Sequence, residues 1–163
     1  MENMTEKPKI YSVDSSSLIQ AWNVNQPPDL FPPFWEKLEG LIRKGIIICS
    51  EEVRHELEKK SDGVCDWIKK IDIFIPHDED VQKAVRQILK SHPRLLNTKR
   101  NRSGADPFVI AVALVRKGSV ITNELRSGKA DKPKIPDVCD AYKISCKSLL
   151  EILREQYPGK SLT

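Results

Sequence analysis

Apolar positions along the chain alternate between two spacings, one of strand length and one of helical period. Ile10, Tyr11 and Val13 form a short run that stops at Asp14, which predicts a first buried strand. Ser15, Ser16 and Ser17 follow. Each is a favourable N-cap for a helix through Leu18, Ile19, Ala21 and Trp22. Residues 23–33 are rich in Pro and Asn and predict a loop. Phe34, Leu38, Leu41 and Ile42 then recur at helical spacing, and Gly45 stops that helix. Ile46 to Cys49 predicts a second strand. Ser50 caps the next helix, whose first turn holds Glu51 and Glu52 and whose inner face is marked by Val53 and Leu57.

Further helical turns are predicted around Val64, Trp67 and Ile68. Ile71, Ile73 and Ile75 alternate with Asp72 and Phe74, as a strand would. Val81, Val85, Ile88 and Leu89 predict an amphipathic helix ended by His92-Pro93. Residues 97–104 form a basic loop with Lys99, Arg100 and Arg102. Asp106 is predicted to cap a helix with Pro107 at its first position. That helix is apolar nearly all round, so it is the buried one, and Gly118 ends it. Val120-Ile121-Thr122 predicts another strand. Arg126 to Lys134 reads as a charged loop, Ile135 to Ala141 as a short turn or helix, and Leu149, Leu150, Ile152 and Leu153 as a closing helix. Strands alternating with helices predict an α/β fold of three layers, α/β/α, with a mainly parallel central sheet.

Composition narrows the class without choosing a function. A length of 163 residues fits a single domain with its own core. With 31% charged and 39% hydrophobic residues, the chain is neither disordered nor membrane-like. The net charge of +4 is compatible with a nucleic-acid partner but does not require one. The four cysteines contain no C-x-x-C pair, which argues against a zinc knuckle or redox motif and for a reduced, cytoplasmic protein. The first nine residues are polar, without the apolar stretch of a signal peptide, and no run is long enough to span a bilayer.

Candidate chemistry lies where parallel sheets place it, at the carboxyl ends of strands. Asp14 ends the first strand. Glu56 borders the apolar face of its helix, whereas Glu51 points away. Asp106 opens the buried helix, Glu124 follows the strand ending at Thr122, and Asp137 follows Pro136. Each has a plain alternative: a cap or turn for Asp14, Asp106 and Asp137, a boundary glutamate for Glu56, a solvated loop for Glu124. The set is the argument. Several carboxylates gathered at one sheet edge repel one another unless cations neutralise them. Oxygen ligands without a His or Cys set point to Mg²⁺ or Mn²⁺, which can activate water for phosphodiester hydrolysis.

On these motifs the chain resembles the PIN-domain nuclease family, over roughly residues 9–155. The carrying segments are IYSVDSSSLI around Asp14, SEEVRHEL around Glu56, SGADPFVIAVAL around Asp106 and SVITNE ending at Glu124. KIPDVCDAY is similar to a PIN-like branch found mainly in bacteria and archaea. The fourth acid is a glutamate where the family has an aspartate, and residues 23–33 and 126–134 lengthen the chain beyond the shortest PIN toxins. The resemblance implies a Mg²⁺- or Mn²⁺-dependent endoribonuclease of the VapC toxin type, with an RNA substrate, a cognate antitoxin and, as an open point, a homodimer. It implies Asp14, Glu56, Asp106 and Glu124 as metal ligands, Asp137 as a fifth candidate, and Ser16 and Thr122 as ligand-orienting residues. Lys99, Arg100 and Arg102, in the loop just before Asp106, can reach an RNA backbone if that helix start is at the site; the plain alternative is a solvated basic loop. Two other readings start from the same residues. A haloacid-dehalogenase-type phosphotransferase needs a second aspartate two residues after the first, where this chain has Ser16. A catalytically inactive RNA- or protein-binding module of the same fold remains as the alternative.

Overall fold

The computed structural model describes residues 9–96 and 104–159. Its centre is the strand β1, Tyr11–Val13, buried along its whole length. β1 pairs in parallel with β2 (Ile47–Ile48) on one side and with β3 (Ser119–Ile121) on the other. β3 pairs in parallel with β4 (Cys146–Lys147), so the strand order is β2-β1-β3-β4. Parallel neighbours need crossovers; of the eight α-helices among the described residues, the first seven lie in those crossovers and the eighth follows the last strand. They are α1 (Ser15–Gln20), α2 (Pro32–Arg43), α3 (Glu51–Lys60), α4 (Asp62–Ile71), α5 (Glu79–Ser91), α6 (Asp106–Arg116), α7 (Ile135–Ala141) and α8 (Leu149–Gln156).

Adjacent side chains on β1 assign the layers, because successive residues of a strand point to opposite faces. Ser12 Oγ donates to the Val109 carbonyl of α6 at 2.8 Å in the buried interior. Tyr11 points the other way, and its hydroxyl donates to Glu155 of α8 at 3.0 Å. The fold is thus the expected three-layer α/β/α arrangement. α6 packs on β1 and β3 and is covered in turn by α5 and α7. Its Val109, Ile110, Ala111, Val112 and Ala113 are all buried, as its uniform apolarity predicts. Among the described residues no helix is long and apolar enough to cross a membrane. The four cysteines are free.

Several local expectations need correction. The helix after β1 starts at Ser15, with Asp14 rather than a serine at the N-cap position. A π-helical turn, Ala21–Asn25, continues it into the predicted loop, and the Trp35 indole pins that loop by donating to the Gln26 carbonyl at 2.7 Å. No strand forms over residues 71–75. Ile71 ends α4, Asp72 closes it in the left-handed region at φ 55°, and only Ile75 meets the sheet, in a single parallel bridge to Ser50. The turn after α6 is made by Lys117 at φ 55°. Gly118 serves a different purpose: a Cβ there would lie 2.4 Å from the Ile10 carbonyl oxygen, so only glycine lets this turn close on the start of β1.

Candidate active site

The sheet's carboxyl edge gathers the acids. Asp14 leaves β1 with its backbone N–H bonded to the Ile121 carbonyl of β3 at 2.9 Å, which locks the two strand exits together. Its side chain is 2% exposed and caps nothing. Instead Asp14 Oδ2 accepts from Ser16 Oγ at 2.5 Å and from Thr122 Oγ1 at 3.2 Å. Thr122 also accepts the Glu124 backbone N–H at 3.1 Å, so one hydroxyl ties the first acid to the last. Glu124 Oε2 in turn accepts the Ile135 N–H at the start of α7, at 3.1 Å. Ser16 and Thr122, expected as ligand-orienting residues, both contact the Asp14 carboxylate.

Asp106 was expected to be a helix cap. The cap position belongs to Ala105, and Asp106 lies inside the first helical turn with Pro107, making no capping hydrogen bond. Burial pushes its carboxyl up to about 8, and the charges of Asp14, Glu124 and Glu56 push the same way, opposed by Lys60. Burial likewise raises Asp14 to about 6; Glu124 and Glu56 add to the rise, while the Ser16 and Thr122 hydroxyls oppose it. Asp14 and Asp106 therefore both feel the charges of Glu56 and Glu124.

Glu56 is buried on α3 beside Val53 and Leu57. Its Oε1 accepts from Lys60 Nζ at 2.8 Å, one turn on, while Oε2 is buried without a partner. Lys60 was not foreseen as a site residue, although the i,i+4 spacing of Glu56 and Lys60 announces the pair. Asp137 departs from the expectation of a fifth ligand. It accepts the Lys134 N–H at 2.8 Å, Ser127 N–H at 3.0 Å, Ser127 Oγ at 2.9 Å and Gly128 N–H at 3.2 Å. Burial alone would raise its carboxyl, but these bonds outweigh it and hold it down at about 2. Asp137 thus organises the loop before α7. Lys99, Arg100 and Arg102 lie outside the described residues.

Among the described residues no three His, Cys, Asp or Glu side chains stand as a ready-made metal-chelating group. The donor set nevertheless fits a hard divalent cation. It consists of carboxylate oxygens alone, it includes a buried orphan oxygen on Glu56, and two of its acids resist ionisation without a counter-charge. The family model described as Domain of unknown function (DUF4411) matches residues 11–158. No curated protein matches the chain.

Proposed function

We propose that this chain, which belongs to the family described as Domain of unknown function (DUF4411), is a Mg²⁺- or Mn²⁺-dependent ribonuclease hydrolysing single-stranded or structured RNA. The carrying observation is that Asp14 and Asp106, the acids with the readiest explanation as helix caps, cap nothing. They are held instead beside Glu56 and Glu124, with both carboxyls raised. Keeping several carboxylates together with a single lysine as counter-charge, two of them buried, costs stability, and such costs concentrate at functional sites.

A divalent cation held by Asp14, Glu56, Asp106 and Glu124 would supply Lewis acidity and charge neutralisation for attack of water on a phosphodiester. The chain's own residues prepare that step. Ser16 and Thr122 hold Oδ2 of Asp14 and so fix the plane of its carboxylate. Glu124 is fixed through Ile135, and Asp106 must give up a proton to act as a ligand. Water adds and an alcohol leaves, so no side-chain nucleophile is needed. The motif resemblance to VapC-type PIN nucleases supports extending the proposal to a cytoplasmic toxin with a protein antitoxin.

The test is a time course on single-stranded RNA with Mn²⁺, with EDTA as blank. Asp14→Asn should fold and lose cleavage by orders of magnitude, while Glu51→Gln, changed in the first turn of α3 away from the cluster, should keep it. Equal cleavage by Asp14→Asn and wild type would overturn the mechanism. Absence of cleavage with RNA binding retained would leave a binding module.

A further inference from the structure

Beside the carboxylates lies a second feature that the hydrolytic reading does not use. A cavity of about 380 Å³ is lined by Ser17, Asn25, Gln26, Asn123, Ser148 and Leu149, among others. Ser17 follows β1, Asn123 follows β3 and Ser148 follows β4, so the cavity opens at the same carboxyl edge of the sheet as the acids. Residues of the two sites are neighbours along the chain. Ser17 is one turn beyond Asp14, its N–H bonded to the Asp14 carbonyl at 3.2 Å, and Asn123 sits between Thr122 and Glu124.

The lining differs sharply from the neighbouring cluster. Among the described residues that line it, none carries a charge; they are amides, hydroxyls, Ala21 and two leucines. Such a wall has no counter-charge for a phosphate or a carboxylate. It suits a neutral group with apolar faces and a hydrogen-bonding edge. One wall group is also unfinished. Ser17 is 1% exposed, and its hydroxyl is buried without a hydrogen-bond partner. Buried hydroxyls are nearly always satisfied, so this orphan, on a residue that lines the cavity, is a group that a bound ligand's polar edge would complete. Asn123 is held in place by its own bond to Gln20 Oε1 at 3.0 Å.

We infer that this cavity is a nucleobase subsite, which takes the base of an RNA nucleotide whose phosphate lies at the carboxylate cluster. The inference rests on the ribonuclease reading for the source of its ligand. Amides and hydroxyls match the donor and acceptor pattern of base edges, and splayed-out bases are how single-stranded RNA is read. The subsite would give cleavage a base preference at one position beside the cut.

The experiment separates this inference from the reading it rests on. The nitrogen-labelled chain, in EDTA so that no cation contributes to binding, is titrated with each of the four ribonucleosides and, as a control probe, with inorganic phosphate. At least one nucleoside should shift the Ser17 and Asn123 amide resonances saturably at millimolar concentration, and phosphate should not. Asn123→Ala and Ser17→Ala, with unchanged spectra elsewhere, should each weaken that binding by roughly tenfold, the loss of one base-edge contact. Absence of any nucleoside-induced shift at these residues overturns the subsite, even if RNA is cleaved. Binding that both variants leave unchanged overturns it too. Nucleoside binding at the cavity in a chain that cleaves no RNA retains the subsite and removes the ribonuclease reading.

Discussion

At the scale of single residues, Asp14 and Asp106 make the site's state depend on pH. An acid whose folded pKa lies above its unfolded value holds its proton more tightly when folded. Its contribution to stability is fully present below about pH 4, and is lost as pH rises through about 6 for Asp14 and about 8 for Asp106. The metal-free protein should therefore lose stability across that window. Asp106→Asn should flatten the upper part of the slope and raise metal-free stability near pH 8 by on the order of 1–3 kcal/mol. Denaturant melts in EDTA at several pH values check this, and parallel slopes for the variant and wild type would refute it. Cations compete with those same protons, so Mn²⁺ affinity by calorimetry should rise as pH passes through about 6 and about 8. The four candidate acids stand out in the sequence because each sits beside a strand end or on the border of an apolar face. Asp137 stands out for the same reason, since a residue after Pro136 at an element boundary looks alike whether it faces a cluster or, as its hydrogen bonds show here, its own loop.

Among elements, α3 and the turn after α6 carry the consequences. α3 presents Glu56 and Lys60 on one stripe, and the lysine stands where a cation's charge would act. Lys60→Ala should raise Mn²⁺ affinity several-fold by removing a competing positive charge, while lowering metal-free stability by leaving Glu56 less compensated. Weaker Mn²⁺ binding in the variant would mean that Lys60 organises the site rather than competing for it. Gly118→Ala places a methyl 2.4 Å from the Ile10 carbonyl oxygen, so β1 or the turn must move. We expect a loss of about 1–3 kcal/mol, as for overpacking in a close-packed interior, together with reduced activity, because Asp14 lies at the other end of β1. A melting curve and a cleavage rate on the same preparation check both. Long, strongly periodic elements were readable: α2, α5 and α6 lie where the apolar spacing puts them. β4 was not, because Cys146 and Lys147 are only half-buried and form no apolar run. The alternation of Ile71, Ile73 and Ile75 misled, because Ile71 serves the inner face of α4 and Ile73 is exposed.

For the whole molecule, a cluster assembled from four elements should respond to cations as a unit. Millimolar Mg²⁺ or Mn²⁺ should raise the melting temperature, by the equivalent of about 3 kcal/mol at a hundredfold excess over Kd, and most strongly at alkaline pH. A melting temperature indifferent to both ions would remove metal binding from the account. The layered parallel architecture was legible from the alternation of strands and helices, whereas the order β2-β1-β3-β4 was not, because pairing partners leave no local mark. That order has a kinetic consequence. β1 emerges first and occupies the middle of the sheet, yet the Asp14–Thr122 contact closes a separation of 108 residues. One edge of the central strand thus stays open until most of the chain has been made, and such distant pairings form slowly. Regain of cleavage after dilution from denaturant should trail the regain of helical signal. A chain released early by a stalled ribosome, before β3, would be an inert product with a sticky edge, fit for proteolysis rather than for work.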